Sequence, residues 1–136
     1  MTGLGSEARA ELALADTSVF IALEQEHPIA GLPPEEVAVS VITVGELRLG
    51  VLAAKDGPSR AKRLETLSRA EELDPLPVDR MVAHAWAALR LALRDDGRRM
   101  PLNDSWIAAT AIANGIPVVA QDDDYDDVPG LESIHV

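Results

Sequence analysis

The sequence of 136 residues predicts a three-layer α/β fold built on a mainly parallel sheet. Two observations predict it. Short, continuous apolar runs recur at Leu12–Ala15, residues 37–39 and Val118–Ala120. Uninterrupted runs of this kind belong to strands buried on both faces, as parallel sheets require. Longer segments of helical period separate them, and alternating strands and helices give a layered α/β architecture. The length suits one domain with a single sizeable core. Residues 12–136 are read as that domain and residues 1–11 as an N-terminal tail.

Leu12–Ala15 is the first strand. Asp16, Thr17 and Ser18 then offer caps for a helix reaching about Glu26, stopped by His27-Pro28. Pro33-Pro34 marks a loop, residues 37–39 a second strand, and Ser40 caps a helix over residues 41–54. Gly57-Pro58 reads as a break before a polar, amphipathic helix over residues 59–73. Residues 73–76, framed by Pro75 and Pro77, are expected to form a short strand. Residues 78–94 show a strong helical pattern with Val82, Ala85, Trp86, Leu89 and Leu93 on one side, ended by Asp95-Asp96-Gly97. The next helix, residues 101–114, begins at Pro101 and stops at Gly115. Val118–Ala120 is a strand, residues 122–127 an acidic loop, and residues 134–136 a final edge strand. There are no repeats.

Composition narrows the class. Hydrophobic residues make up 47% and charged residues 26%, the balance of a globular protein rather than a disordered one. No apolar stretch approaches the roughly 20 residues needed to cross a bilayer, and residues 1–11 hold acids without the apolar core of a secretory signal. No membrane association is expected. The absence of cysteine excludes disulfides and thiolate metal sites. A cytoplasmic location is expected.

The net charge of −11 opposes a polyanionic partner through its long-range field. The charge is unevenly spread, however. Eleven of the twelve basic residues lie between Arg48 and Arg99, with only eight acids, leaving +3 there and −14 elsewhere. Arg60, Lys62, Arg63 and Arg69, then Arg90, Arg94, Arg98 and Arg99, are placed to flank an acidic site and take up phosphate oxygens. Each is equally readable as part of a solvated helix face.

Four acids fall where the chain should be driest. Asp16 closes the first apolar run and Asp122 follows Val118–Ala120, and both lie at the carboxyl ends of strands, where parallel sheets bind ligands. Asp104 opens an alanine-rich helix. Counting from Ile42 in steps of four and three gives Glu46, Leu49 and Ala53, which sets Glu46 on an apolar stripe facing the core. Singly, Asp16 reads equally as an N-cap and Asp104 as a first-turn acid complementing the helix dipole. Together, clustered carboxylates repel and would force a proton onto one of them unless a cation intervenes. All-oxygen ligation suits Mg²⁺ or Mn²⁺. One or two such ions polarise a phosphoryl oxygen, lower the pKa of a bound water and steady a leaving oxygen, so the leading chemistry is phosphodiester hydrolysis.

The other constellations are weaker. His27, His84 and His135 lack metal-ligand spacing, and His84 is expected at an interface or in the core. Trp86 and Trp106 lie on apolar helix faces and are expected in the core. Thr17, Ser18, Thr43 and Ser105 have no histidine placed to activate them and make better sense as hydrogen-bonders beside the acids. There is no phosphate-binding glycine loop.

Four blocks in order, Leu14-Ala15-Asp16-Thr17-Ser18-Val19, Ser40-Val41-Ile42-Thr43-Val44-Gly45-Glu46-Leu47, Asn103-Asp104-Ser105-Trp106-Ile107-Ala108-Ala109-Thr110-Ala111 and Val118-Val119-Ala120-Gln121-Asp122-Asp123-Asp124-Tyr125, resemble the PIN-domain family. The similarity is greatest to the VapC-type toxins of bacterial toxin–antitoxin pairs, and it spans about residues 12–136. It implies a PIN-like three-layer α/β/α fold with four to five strands and a Mg²⁺- or Mn²⁺-dependent endoribonuclease. The catalytic quartet implied is Asp16, Glu46, Asp104 and Asp122, with Asp124 as an added or substitute metal ligand. Thr17, Ser18, Thr43, Asn103 and Ser105 are expected to support them, and the charge distribution offers Arg60, Lys62, Arg63, Arg98 and Arg99 as contacts to RNA. The implied partners are RNA, a cognate VapB-type antitoxin and a second copy of the chain, assembling into a higher hetero-oligomer. Ala120 stands where the family often has threonine, removing a hydrogen bond, and Tyr125 where it often has phenylalanine, a change expected to be neutral. Two other classes compete. A receiver-like phosphoacceptor module would also gather acids around Mg²⁺ but needs a lysine near the C-terminal strands, and none follows Lys62. A catalytically silent binding module would have no use for Glu46 on an apolar stripe.

Overall fold

The computed structural model describes residues 12–27 and 36–136; the expected tail, the His27-Pro28 stop and the Pro33-Pro34 loop fall wholly or partly outside them. Four strands form one sheet: β1 (Leu12–Ala15), β2 (Glu36–Ala38), β3 (Val118–Ala120) and β4 (Ser133–His135). Their order is β2-β1-β3-β4, and every pair is parallel, with Leu14 opposite both Ala38 and Val118, and Val119 opposite Ile134. The chain steps from β1 to one side for β2 and to the other for β3. The crevice between the carboxyl ends of β1 and β3 is therefore the switch point where such sheets bind ligands.

Among the described residues five helices cover the two faces: α1 (Thr17–Glu24), α2 (Val41–Ala53), α3 (Gly57–Glu71), α4 (Arg80–Asp95) and α5 (Leu102–Asn114). Successive strand residues point to opposite faces, and the core divides accordingly. Leu14, Val118 and Ala120 pack with Leu89 and Leu93 of α4 and Ile107, Ala108 and Ala111 of α5. Ala13, Ala15 and Val119 pack with Val19 and Phe20 of α1, Leu47 and Val51 of α2, and Leu67 and Ala70 of α3. Three layers result, in agreement with the expected α/β/α class and the lower expected strand number.

Several elements differ from expectation, each for a local reason. Gly57-Pro58 does not break the chain but opens α3: Asp56 caps it by accepting from the Ser59 amide at 2.8 Å, and proline lacks only an N–H that the first turn leaves unpaired anyway. The strand expected at residues 73–76 shrinks to one bridge, Leu76 to Ser40, because Pro75 and Pro77 have no amide for a ladder. Helix α1 ends at Glu24, with Glu26 at φ 56°. Helix α4 starts at Arg80 because Asp79 accepts from the Val82 amide at 2.9 Å. The last strand is shifted by one residue, to Ser133–His135. Gly115, at φ 66°, ends α5 in the left-handed conformation that glycine adopts without strain.

Two expectations about the core are corrected. His84 is exposed, on the solvent side of α4. Trp86 and Trp106 are half-buried rather than in the core; their rings stack at 4.3 Å between centroids and 3° between planes. The pair shields itself at the surface between α4 and α5, where the Trp86 indole N–H reaches the Ser105 hydroxyl at 3.0 Å.

Candidate active site

The end of β1 delivers Asp16 to the switch point. Its backbone amide donates to the Val119 carbonyl at 2.8 Å, and its side chain caps α1 by accepting from the Ser18 amide at 3.1 Å. Capping and site membership coexist: Oδ2 serves the helix, while Oδ1 accepts from the Tyr125 hydroxyl at 2.6 Å. Asp16 and Tyr125 are both buried. Burial, the Asp16 charge and that hydrogen bond together push the Tyr125 hydroxyl far above the usual tyrosine range, so it stays a donor. The expectation that tyrosine in place of phenylalanine would be neutral is therefore corrected. The contact joins residues 109 positions apart and has no local signature in the sequence.

Ser18 performs the reciprocal service for β3. Its hydroxyl accepts from the Gln121 amide at 3.1 Å, fixing the start of the acidic loop. In that loop Asp122 Oδ1 accepts from the Asp124 amide at 3.1 Å.

Asp104 lies half-buried in the first turn of α5. Burial raises its carboxyl pKa to about 7, followed by the charge of Asp16, side-chain hydrogen bonding with Asp124, and the charges of Asp124 and Asp122. Asp122 is raised for the same reasons, burial first and then Asp16, Asp124 and Asp123, against the lowering effect of the Asp124 amide. Asp16, Asp104, Asp122 and Asp124 are thus near enough to repel one another. Among the described residues the only ion pair is Arg69–Glu65, elsewhere on α3, so no cationic side chain balances them.

Glu46 is placed differently from the expectation. The buried stripe of α2 runs through Thr43, Leu47 and Val51, whereas Leu49 is 66% exposed. Ile42, from which the count starts, packs at the margin of the core, but Leu49 and Ala53 lie on the outer side, and Glu46 sits half-buried at the edge of the true stripe. Its position is nonetheless determined. Thr17 Oγ1 donates to Glu46 Oε1 at 2.6 Å and lies 2.9 Å from the Thr43 hydroxyl, while the Asn103 amide donates to Oε2 at 3.3 Å. Thr17 follows Asp16 and Asn103 precedes Asp104, so Glu46 is anchored to the immediate neighbours of two other acids.

The remaining candidates separate. Ser105 is turned away from the carboxylates: it accepts from Trp86 and its hydroxyl reaches the Leu102 carbonyl at 2.5 Å. Arg60 and Arg63 donate to the Ala54 and Gly50 carbonyls at 3.1 and 2.8 Å, satisfying acceptors at and after the C-terminal end of α2. Lys62 projects from the exposed side of α3. Arg98 donates to the Asp124 carbonyl at 3.4 Å, and Arg99 is exposed beside it.

Among the described residues no three His, Asp or Glu side chains converge closely enough to hold a metal ion as they stand. The donor set nevertheless fits a hard cation: oxygens only, without sulfur or nitrogen, and mutually repulsive. A divalent ion held there would offset the mutual repulsion of these carboxylates.

A sequence model of the PIN domain matches residues 13–131. The chain belongs to the PIN-domain family. This PIN domain is 47% identical over 129 residues to ribonuclease VapC4 of Mycobacterium tuberculosis, covering 91% of the chain and 96% of that protein. It is 46% identical over 122 residues to ribonuclease VapC5 of the same organism, covering 89% and 90%. Among solved structures it resembles VapBC-5 of M. tuberculosis, a member of the VapBC family of toxin-antitoxin systems, with a TM-score of 0.82, 45% identity and 93% and 99% coverage. FitAcB of Neisseria gonorrhoeae superposes with a TM-score of 0.73 at 29% identity, covering 90% and 96%. Within the PIN family the chain therefore groups with VapC-type proteins. No helix among the described residues of this PIN domain is long and apolar enough to cross a membrane.

Proposed function

We propose that this protein is a Mg²⁺- or Mn²⁺-dependent endoribonuclease that acts in the cytoplasm as the toxin of a toxin–antitoxin pair, with residues 12–136 as the nuclease domain. The observation that carries the reading is the cluster at the switch point: burial and the neighbouring Asp16, Asp124 and Asp122 raise the Asp104 pKa to about 7, and among the described residues none of these carboxylates is in an ion pair. The naming of relatives 47% and 46% identical as ribonucleases supports it.

In this reading Asp16, Asp104, Asp122 and Asp124 hold the cation, with Glu46 completing the set through its anchor on Thr17 and Asn103. The cation, when bound, neutralises phosphoryl charge and acidifies a water molecule. The protein's own work is orientation. Tyr125 and the Ser18 amide fix both oxygens of Asp16, and Thr17 and Asn103 fix both oxygens of Glu46. Asp104 must release its proton to hold a cation; its carboxyl titrates at about 7 in the empty site and would titrate lower once a cation stabilises the carboxylate, so activity should fall as pH drops below that range. A VapB-type antitoxin would neutralise the enzyme, which the solved toxin-antitoxin structure of a relative supports; a homodimer, within a higher hetero-oligomer, would be its assembled form.

The test is incubation of the purified protein with a structured RNA, with and without Mg²⁺ or Mn²⁺. Cleavage only with the ion, leaving 5′-phosphate and 3′-hydroxyl ends, is expected of an attacking water. Ends with a 2′,3′-cyclic phosphate, which require attack by the ribose, would overturn the mechanism.

A further inference from the structure

A groove of about 840 Å³ runs along the outer side of α4 to the 97–100 segment. Arg90, Arg94, Arg98 and Arg99 line it and no acid does, although the chain carries a net charge of −11. None of the four is in an ion pair among the described residues. Two are fixed in place. The Arg90 guanidinium lies over the Trp86 ring, 5.7 Å from its centroid, and Trp86 is backed by Trp106 and tied to Ser105. At the other end Arg98 donates to the Asp124 carbonyl, and the Asp124 side chain is one of those that raise Asp104. The basic groove therefore ends at the acidic cluster.

We propose that this groove holds the single-stranded RNA segment flanking the phosphodiester to be cut; the proposal rests on the ribonuclease reading above. Carboxylates repel the phosphate chain they are to hydrolyse, and a row of unpaired guanidiniums leading up to them supplies the opposite field. Arginine suits phosphate oxygens through its planar, forked donors. A concave groove with cations along it and an aromatic wall is the form that admits single strands rather than the rigid ridge of a duplex. Arg60 and Arg63, occupied by the carbonyls of α2, are poorer candidates for the same task.

The test uses the full chain carrying Asp104→Asn, to prevent cleavage, and two fluorescent probes: a mixed-sequence single-stranded RNA and its duplex. Arg90→Gln with Arg94→Gln should weaken single-strand binding at least tenfold and lower the slope of log affinity against log salt by about 0.7 for each phosphate no longer neutralised. Arg80→Gln, which removes a charge elsewhere on α4, should leave both unchanged. The chain has two tryptophans, both beside the groove, so single-stranded RNA should alter intrinsic fluorescence. Should loss of Arg90 disturb the tryptophan pair, Arg94→Gln with Arg99→Gln asks the same question without it. Unchanged affinity and slope in both double variants overturns the proposal, as does duplex binding equal to single-strand binding. Retained RNA binding with loss of antitoxin binding would assign the groove to a protein partner instead. Cleavage by the unaltered chain, run in parallel, keeps the two readings apart: cutting with unaffected arginine variants removes the groove alone, and absence of cutting removes the nuclease reading.

Discussion

The Tyr125 hydroxyl donates to Asp16 Oδ1 at 2.6 Å, between two buried side chains 109 positions apart. Asp16 thereby has an oxygen committed on each side, one to the α1 cap and one to the acidic loop. The first strand's carboxylate and the last acidic segment are held as one unit.

Tyr125→Phe removes that donor and leaves the rest of the ring. A hydrogen bond to a charged group contributes about 1.5 kcal/mol or more, so the melting temperature should fall by about 5 °C. Calorimetric titration with Mn²⁺ should show weaker binding as Asp16 loses its orientation. A variant that melts and binds as the parent does would mean that the contact has no energetic weight.

The raised pKa of Asp104 makes the metal-free protein sensitive to pH. Its carboxyl titrates at about 7 instead of 3.8, so between those values the folded state holds a proton that the unfolded chain has released. Its stabilising contribution is full below about pH 4 and disappears as pH rises through about 7. Thermal melts in a chelator should show the parent losing stability over that window relative to Asp104→Asn, which has no proton to lose. Parallel curves for the two proteins would contradict the electrostatic account.

Addition of Mg²⁺ or Mn²⁺ should reverse the loss. Binding to the folded state alone adds about 2.7 kcal/mol when the ion is roughly a hundredfold above its Kd, and Asp16→Asn or Asp104→Asn should abolish most of that gain. If both variants respond to the ion as the parent does, the cation is held elsewhere.

Arg63→Ala should destabilise rather than weaken RNA binding. It removes the donor to the Gly50 carbonyl, at a cost of about 1 kcal/mol, and the salt slope for RNA should stay as it was. A reduced slope with unchanged melting would return Arg63 to the RNA surface.

What the sequence revealed follows how local each signal was. The run Leu12–Ala15 and the caps at Asp16 and Ser40 act within a few residues, and all three elements lie where expected. Gly57-Pro58 was ambiguous because the same pair can break a chain or open a helix; only the Asp56 cap decides. Glu46 was identified as unusual by its apolar neighbours, but Leu49 is exposed, and helical period alone does not say which side of α2 faces the sheet. Tyr125 and the Trp86–Trp106 stack depend on elements that meet only after folding.

The pairing of β1 with β3 also fixes when the site comes into existence. Asp16 is made early in synthesis, but its strand partner Val119, its hydrogen-bond donor Tyr125 and the companion acids Asp122 and Asp124 all belong to the final stretch of chain. A nascent or prematurely terminated polypeptide ending before Val118 has the first carboxylate and no site around it. The carboxylates therefore assemble only after the segment from Val118 to Tyr125 has been made and has paired with β1.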